Sequence, residues 1–160
     1  MRRTSFDGMS CPIARSLERV GDWWNIMILR DAFAGSTRFE EFQRGLGIAP
    51  NTLTRRLKML VDAGLLERRL YQDRPARHAY HLTERGRDFR PVLLTLVAWG
   101  NRHFAPEGAS ILLADPATGD IVDPVLVDRG TGRPLGVDTR VVPGPAADAR
   151  VRRRLQRVRD

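Results

Sequence analysis

The sequence predicts an α+β protein that is mainly helical, with a two-stranded β-hairpin and a small C-terminal β-hairpin extension. Up to Gly64, apolar residues recur at the spacing of amphipathic helices. After Gly64 the pattern changes to two short extended segments separated by the turn sequence QDRPAR. Beyond Pro106, aliphatic residues followed by Asp and then Thr-Gly occur twice with a period of 13 residues, which is typical of short strand-and-turn units.

Four helices are predicted before Gly64, and glycines separate them. The first begins at Pro12 and ends at Gly21, and Asp22 is suited to cap the second. Gly45 and Gly47 close the third, and Pro50 fits the first turn of the fourth. The first and third helices are marked by apolar residues at helical spacing, namely Ile13, Leu17 and Val20, and Phe39, Phe42 and Leu46. The residues predicted to face inward are Trp23, Ile26, Met27, Leu29, Ala32 and Phe33 in the second helix and Leu53, Leu57, Leu60 and Val61 in the fourth.

The predicted hairpin consists of strands over 65–71 and 78–82, and a second helical region follows it. Thr83 can cap a long helix that extends to Phe104. Pro91 removes a backbone donor inside this region, so we expect a kink or a boundary just before it. Helices in succession followed by a hairpin, as in the last three of these four helices and the hairpin after them, are the element order of a winged helix-turn-helix.

The chain length favours one main domain with appendages. Its 160 residues, 42% of them hydrophobic, can bury one core. We expect a DNA-binding and dimerisation domain over 1–106, a β-hairpin repeat over 107–145 and an arginine-rich tail over 146–160. The tail could form a helix or stay disordered.

Composition excludes several classes of protein. The single cysteine, Cys11, rules out an internal disulfide framework, and the three histidines have no zinc-ligand spacing. We expect no metal and no cofactor. No apolar run is long enough for a membrane span or a signal peptide, so a soluble, cytoplasmic protein is expected. There is also no phosphate loop, no dinucleotide fingerprint and no defensible catalytic triad, which argues against an enzyme.

The net charge of +8 is unevenly distributed. Residues 1–110 carry 18 basic and 12 acidic side chains, and residues 150–160 carry six Arg against one Asp. Residues 111–149, in contrast, carry three Arg against six Asp. A positive body with a basic tail favours polyanionic partners, with nucleic acid ahead of an anionic membrane surface.

The fourth helix presents polar residues opposite its leucine stripe. In a major groove, a guanidinium can bridge guanine acceptors and an amide can bridge adenine, so Arg55 and Asn51 suit base edges. Hydroxyl and guanidinium groups on the flanks of this face suit phosphates, and the basic hairpin tip suits the minor groove or the backbone. The predicted DNA-binding residues are Asn51, Thr52, Thr54, Arg55, Arg56, Lys58, Arg74 and Arg77.

The competing interpretation is that these charges form an ordinary solvated helix face, which an isolated helix would favour. The preceding short helix, the glycine turn, the inward leucines and the basic hairpin tip together favour double-stranded DNA as the partner. A winged-helix module that contacts protein or RNA, without specific DNA readout, stays open as the alternative function.

Residues 11–103 resemble the HxlR-type transcriptional regulators of bacteria, a winged helix-turn-helix group akin to the MarR regulators. The resemblance rests jointly on the Cys-Pro before the first helix, the tryptophan-containing ILR helix, RFEEFQ, LTRRLKMLVDAGLL and YHLTERGRDFRPVL. It implies a repressor or activator that is a homodimer clasped by its first and last helices, with recognition helices in successive major grooves of a pseudo-palindromic operator. The expected dimer residues are Leu17 of the first helix and Leu93, Leu96, Val97 and Trp99 of the last.

Cys11 is a candidate redox sensor. It precedes a helix N-terminus with Arg15 one turn later, and both features would stabilise a thiolate. Some relatives sense oxidants or electrophiles through a cysteine at the matching position, so the effector could be an oxidant or a small molecule. The alternative is an inert, half-buried cysteine.

Overall fold

The computed structural model describes residues 5–6, 8–136 and 138–156, and it divides into two compact units. The first, called the winged-helix unit below, contains residues up to Asp88 together with those from Pro143 onward. The second, called the extension unit, contains residues 89–142. The division falls at Phe89, earlier than the boundary expected after residue 106, and the C-terminal tail belongs to the winged-helix unit.

Four helices open the winged-helix unit in the predicted order. The Asp22 carboxylate accepts a hydrogen bond from the Trp24 N–H at 3.0 Å and so caps the second helix as expected. Gly47 turns the chain between the third and fourth helices with a φ of 60°, a left-handed conformation that glycine adopts without strain. The helices are α1 (Pro12–Val20), α2 (Trp23–Phe33), α3 (Phe39–Leu46) and α4 (Pro50–Asp62).

The wing is an antiparallel hairpin of β1 (Leu66–Gln72) and β2 (Arg77–Leu82). The Tyr80 N–H donates to the Thr37 carbonyl at 2.7 Å, which ties the wing to the loop before α3. This contact fixes the hairpin beside the helix-turn-helix segment, so the winged helix-turn-helix prediction is confirmed.

A single helical turn, α5 (Glu84–Arg87), anchors the end of the wing. The Thr83 hydroxyl oxygen accepts a hydrogen bond from the Gly86 N–H at 3.0 Å. A Cβ atom at Gly86 would lie 2.1 Å from the Leu65 carbonyl oxygen, so a larger residue would push α5 away from the strand.

The core of the winged-helix unit corrects the predicted inward stripe of α2. Ile28 and Leu29 are fully buried, whereas Trp23, predicted to face inward, is 75% exposed. Because helical side chains point back toward the N-terminus, a residue in the first turn projects beyond the edge of the core. The largest fully buried side chains are Phe42, Ile28, Leu29, Leu53, Leu57, Leu60, Leu66 and Asn25.

The extension unit begins with α6 (Arg90–Phe104), which has Pro91 in its first turn. The expected boundary before Pro91 is therefore confirmed. Next comes a hairpin of β3 (Leu113–Ala114) and β4 (Ile121–Val122).

The 13-residue sequence repeat is also a structural repeat. In the first turn, the Gly119 N–H donates to the Asp115 carbonyl at 2.8 Å. In the second, the Gly132 N–H donates to the Asp128 carbonyl at the same distance, and Val127 forms a β-bridge with Pro134. The second hairpin, over 125–135, thus copies the turn geometry of the first.

The arginine-rich tail contains a helix that begins at Ala149. The Asp148 carboxylate accepts a hydrogen bond from the Val151 N–H at 2.8 Å and caps α7 (Ala149–Gln156). Within the described part of the chain, no helix has the length and apolarity needed to cross a membrane.

Candidate nucleic-acid interface

The α3-turn-α4 segment presents one face of α4 to the surrounding solution. Leu53, Leu57 and Leu60 are fully buried and fix the rotation of α4 about its axis. The opposite face therefore projects outward, and most of the predicted DNA-binding positions lie on it. Asn51, Thr54, Arg55 and Lys58 are exposed, and Thr52 is half-buried.

The outward side chains of α4 differ in how strongly the protein itself holds them. The Thr54 hydroxyl donates to the Pro50 carbonyl at 2.9 Å, and Lys58 forms an ion pair with Asp62 at 2.6 Å. Arg55 has no hydrogen-bond or ion-pair partner among the described residues. Its guanidinium, like the exposed side-chain amide of Asn51, is thus available to bind a ligand.

Arg56 differs from the other predicted DNA-binding residues in its contacts within the protein. Its guanidinium Nη2 lies 2.5 Å from Asp22 Oδ2, and its side chain is only 12% exposed. Arg56 lies on the flank of α4 that faces the N-terminus of α2, where the capping carboxylate of Asp22 offers a charge partner. Arg56 therefore joins two helices within the protein.

The wing carries basic side chains along its strand β1 as well as at its tip. Arg74 and Arg77 are exposed at the turn, as predicted. Arg68 Nη2 lies 2.9 Å from His78 Nδ1, and Arg69 pairs with Glu67 on the same strand. Arg38, before α3, stacks 5.0 Å from the centre of the Tyr71 ring.

Cys11 is the N-cap residue of α1 and is only 5% exposed. A hydrogen bond from the Ala14 backbone N–H is the main cause that lowers the pKa of its thiol below the ordinary value. Burial opposes this shift, and the Arg154 guanidinium, 3.8 Å from Sγ, adds to it. The site thus favours the thiolate.

The tail helix, not α1, supplies the charge beside Cys11. Arg15 was expected to stabilise the thiolate, but its Nε donates to the Met9 carbonyl at 2.8 Å. Arg154 comes from α7, which is held to the N-terminal segment by a hydrogen bond of 2.6 Å from the Ser10 hydroxyl to Asp148. This hydrogen bond is the main cause that lowers the pKa of the Asp148 carboxyl. A cavity of about 130 Å³ lies between the two segments.

The predicted dimer residues retain exposed apolar surface. Leu17 on α1 and Leu96 and Trp99 on α6 are exposed, and Leu93 and Val97 are half-buried.

Comparison with known proteins decides the family. The family model described as HxlR-like helix-turn-helix matches residues 19–108, more than half of the chain. This chain belongs to the HxlR-like helix-turn-helix family. The match includes α2, the α3-turn-α4 segment, the wing and α6.

Relatives and solved structures agree with this assignment. An uncharacterized HTH-type transcriptional regulator of Mycobacterium tuberculosis is 40% identical to this HxlR-like protein over 148 residues, which cover 91% of this chain and 92% of the relative. The structure of a candidate transcription factor from Pseudomonas aeruginosa is 52% identical, covers 90% of this chain and 99% of its own, and has a TM-score of 0.65. The redox regulator HypR in its reduced form is 31% identical, covers 61% of this chain and 99% of its own, and has a TM-score of 0.55.

This HxlR-like protein is thus a DNA-binding transcriptional regulator. The family and its relatives' names point to regulation and not to an enzyme. Among the described residues, no group of three or more His, Cys, Asp or Glu side chains is placed to hold a metal ion.

Sequence reasoning missed two basic features of the regulator. Arg38 and Arg68 are not among the predicted DNA-binding residues; Arg68 lies on β1, and Arg38, before α3, lies over the ring of Tyr71 on the same strand. Glu67 and Arg68 are neighbours on β1, so their side chains point to opposite faces of the strand. This alternation along the predicted strand is a sequence signal for Arg68 as a basic group of the wing. Arg154 could not be assigned to Cys11, because 143 residues separate the two along the chain.

Proposed function

We propose that this HxlR-like regulator binds a pseudo-palindromic operator as a homodimer, with α4 of each protomer in a major groove. The observation that carries the proposal is the orientation of α4. Its leucines are fully buried on one side, and Asn51 and Arg55 are exposed on the other. A major groove admits one helix, and these two residue types match the acceptor and donor patterns of guanine and adenine.

The wing would hold the DNA backbone beside α4. Arg74 and Arg77 are exposed at its tip, where a guanidinium can reach phosphates or a narrow minor groove. Such contacts position the protein without reading sequence. Specificity would then depend on α4, and a large part of the affinity would come from the wing.

A homodimer would bind two half-sites related by its own twofold axis, about 10 base pairs apart centre to centre. The exposed apolar residues Leu96 and Trp99 on α6 and Leu17 on α1 support a dimer that buries them.

The proposal can be tested by selecting binding sites from random duplex DNA and footprinting the enriched sequence. Two protected, inverted half-sites are expected. The logarithm of the binding constant should also fall linearly with the logarithm of salt concentration, since each neutralised phosphate releases counterions. Enrichment of no duplex sequence, with binding to RNA or protein in its place, would favour the interaction-module alternative.

A second candidate property is effector sensing through Cys11. The thiol pKa is lowered by the Ala14 N–H and by Arg154, and a thiolate is the form that oxidants and electrophiles attack. The similarity to HypR, whose name describes it as a redox regulator, supports an oxidant as effector.

A further inference from the structure

We infer that the extension unit forms part of the dimer interface, and that an apolar groove between α6 and the first hairpin receives the second hairpin of a second copy of this chain. The inference rests on the homodimer of the proposed function. It adds the surface that the partner covers and the segment that covers it.

The extension unit has no core of its own. Over residues 89–136 and 138–142, no side chain is buried, whereas the winged-helix unit buries residues from α1 to β2. A two-stranded hairpin is at best marginally stable in water without a hydrophobic surface to pack on. The extension unit therefore needs apolar contacts from outside itself.

The first hairpin is held against α6 but leaves a groove open. The Asn101 side-chain amide donates to the Ile111 carbonyl at 2.8 Å, and Arg102 lies 3.6 Å from Asp123. The groove that remains has a volume of about 420 Å³. Apolar residues along it include Val97, Ala98, Leu112, Leu113, Ile121 and Val122.

The amount of exposed apolar surface fits a permanent partner. Fourteen large apolar side chains between Val92 and Val142 are 40–75% exposed. Together they present on the order of 1,000 Å² of exposed surface, distributed over α6, both hairpins and the segment up to Val142. Obligate homodimers bury about 2,000 Å² or more in total, or about half of that per protomer. The exposed surface is thus large enough to supply one side of such an interface.

A second copy of the chain is the occupant that the sequence repeat favours. The second hairpin has the turn geometry of the first, so it can lie on α6 of a partner as the first hairpin lies on its own α6. Each copy carries one groove and one such hairpin, so a twofold axis would fill both grooves at once. The apolar residues of the second hairpin are Val125, Leu126, Val127 and Leu135, all at least 45% exposed.

The charge of the extension unit argues against nucleic acid as the occupant of its groove. Residues 111–142 carry five Asp and three Arg, so this surface would repel phosphates, unlike the basic winged-helix unit.

The first test compares two leucines of similar exposure in the full chain. Leu126 lies in the second hairpin and is 57% exposed, and Leu70 lies in the wing and is 53% exposed. In sedimentation equilibrium without DNA, Leu126→Glu should raise the dimer dissociation constant at least tenfold, and Leu70→Glu should leave it unchanged. Equal dissociation constants for Leu126→Glu and wild type, or a monomeric wild type, would overturn the inference.

The second test does not depend on a destabilising charge. In a Cys11→Ser background, Val97→Cys and Leu126→Cys proteins are prepared separately, mixed and treated with a short bismaleimide. Each chain then holds one thiol, so a cross-link cannot form within a chain and must join two copies. The Val97→Cys and Leu126→Cys pair should cross-link, and Val97→Cys with Leu70→Cys should not. Failure of the first pair to cross-link would refute the proposed occupant.

Both tests can be interpreted independently of the proposed DNA-binding function, because DNA is absent from both measurements. If the wild type protects two half-sites but Leu126→Glu dimerises normally, the operator model stands and the groove assignment fails. If the cross-link forms but no operator is enriched, the interface stands and the DNA model fails.

Discussion

Arg56 of α4 and Asp22 at the N-cap of α2 form an ion pair, with Nη2 2.5 Å from Oδ2 and side chains 12% and 20% exposed. The other oxygen of the same carboxylate accepts the Trp24 N–H at 3.0 Å. One carboxylate therefore caps α2 and links it to the helix proposed to read DNA. The orientation of α4 depends on this pair as well as on its buried leucines.

We predict that Arg56→Ala destabilises the fold by about 2 kcal/mol, because it leaves a largely buried carboxylate with one charge-assisted contact fewer. Urea unfolding measures this loss. Lys58→Ala is the control, because its ion pair with Asp62 is 73% and 60% exposed and should contribute less than about 1 kcal/mol. In a double-mutant cycle with Asp22→Ala, the two losses should not add. Additive losses would show that the two side chains do not stabilise the fold as a pair.

Arg55→Ala should weaken operator binding by roughly 1–3 kcal/mol and relax discrimination at one base pair, as expected for loss of a bidentate base contact. Arg77→Ala should weaken binding to all sequences about equally and reduce the salt slope by about one. Binding titrations against the operator and single-base variants test both. Arg129→Ala removes the same charge from the acid-rich extension and serves as the control. Unchanged selectivity of Arg55→Ala would mean that α4 docks differently.

Leu96→Glu should convert the dimer to a monomer, because it introduces a charge into an apolar seam on α6. Operator affinity should fall with it, since both half-sites are no longer held together. Thr95→Glu introduces the same charge at the neighbouring exposed position and should leave the dimer intact. Sedimentation velocity distinguishes the two variants. A dimeric Leu96→Glu protein would exclude this face of α6 from the seam.

The reactivity of Cys11 should reach half of its maximum below the ordinary pKa of a cysteine thiol, because the Ala14 N–H and Arg154 favour the thiolate. Alkylation rates measured against pH give this midpoint. Arg154→Ala should move the midpoint to higher pH, and Arg154→Lys should restore part of the shift. Greater access to the thiol would change the maximal rate but not the midpoint, so the two effects can be separated. A midpoint that Arg154→Ala leaves unchanged would exclude an electrostatic role.

If Cys11 senses oxidants, peroxide or diamide should change the operator affinity of wild type and leave Cys11→Ser unaffected. With one cysteine in the chain, the oxidised product must be a bridge between protomers, an adduct with a small thiol or a sulfur oxyacid. Mass spectrometry identifies which of these forms. Equal responses of the two proteins would make Cys11 a packing residue and require another effector site.

The order of elements could be predicted from the sequence because its signals are local. Gly21, Gly47 and Gly64 separate helices whose apolar spacing is visible within ten or so residues. Pro91 predicted the boundary before α6, and the 13-residue repeat predicted the two hairpins. The exposed positions of Asn51 and Arg55 followed from the same periodicity.

Tertiary structure alone decided which distant groups meet. Periodicity placed Arg56 on a flank of α4, but only the packing of α2 brought Asp22 within reach. In the same way, Arg154 reaches Cys11 through a tail helix far along the chain, whereas the nearby Arg15 turns to a backbone carbonyl. A helical pattern specifies the direction of a side chain within its own helix. The partner it finds depends on how separate helices pack, and no local pattern contains that information.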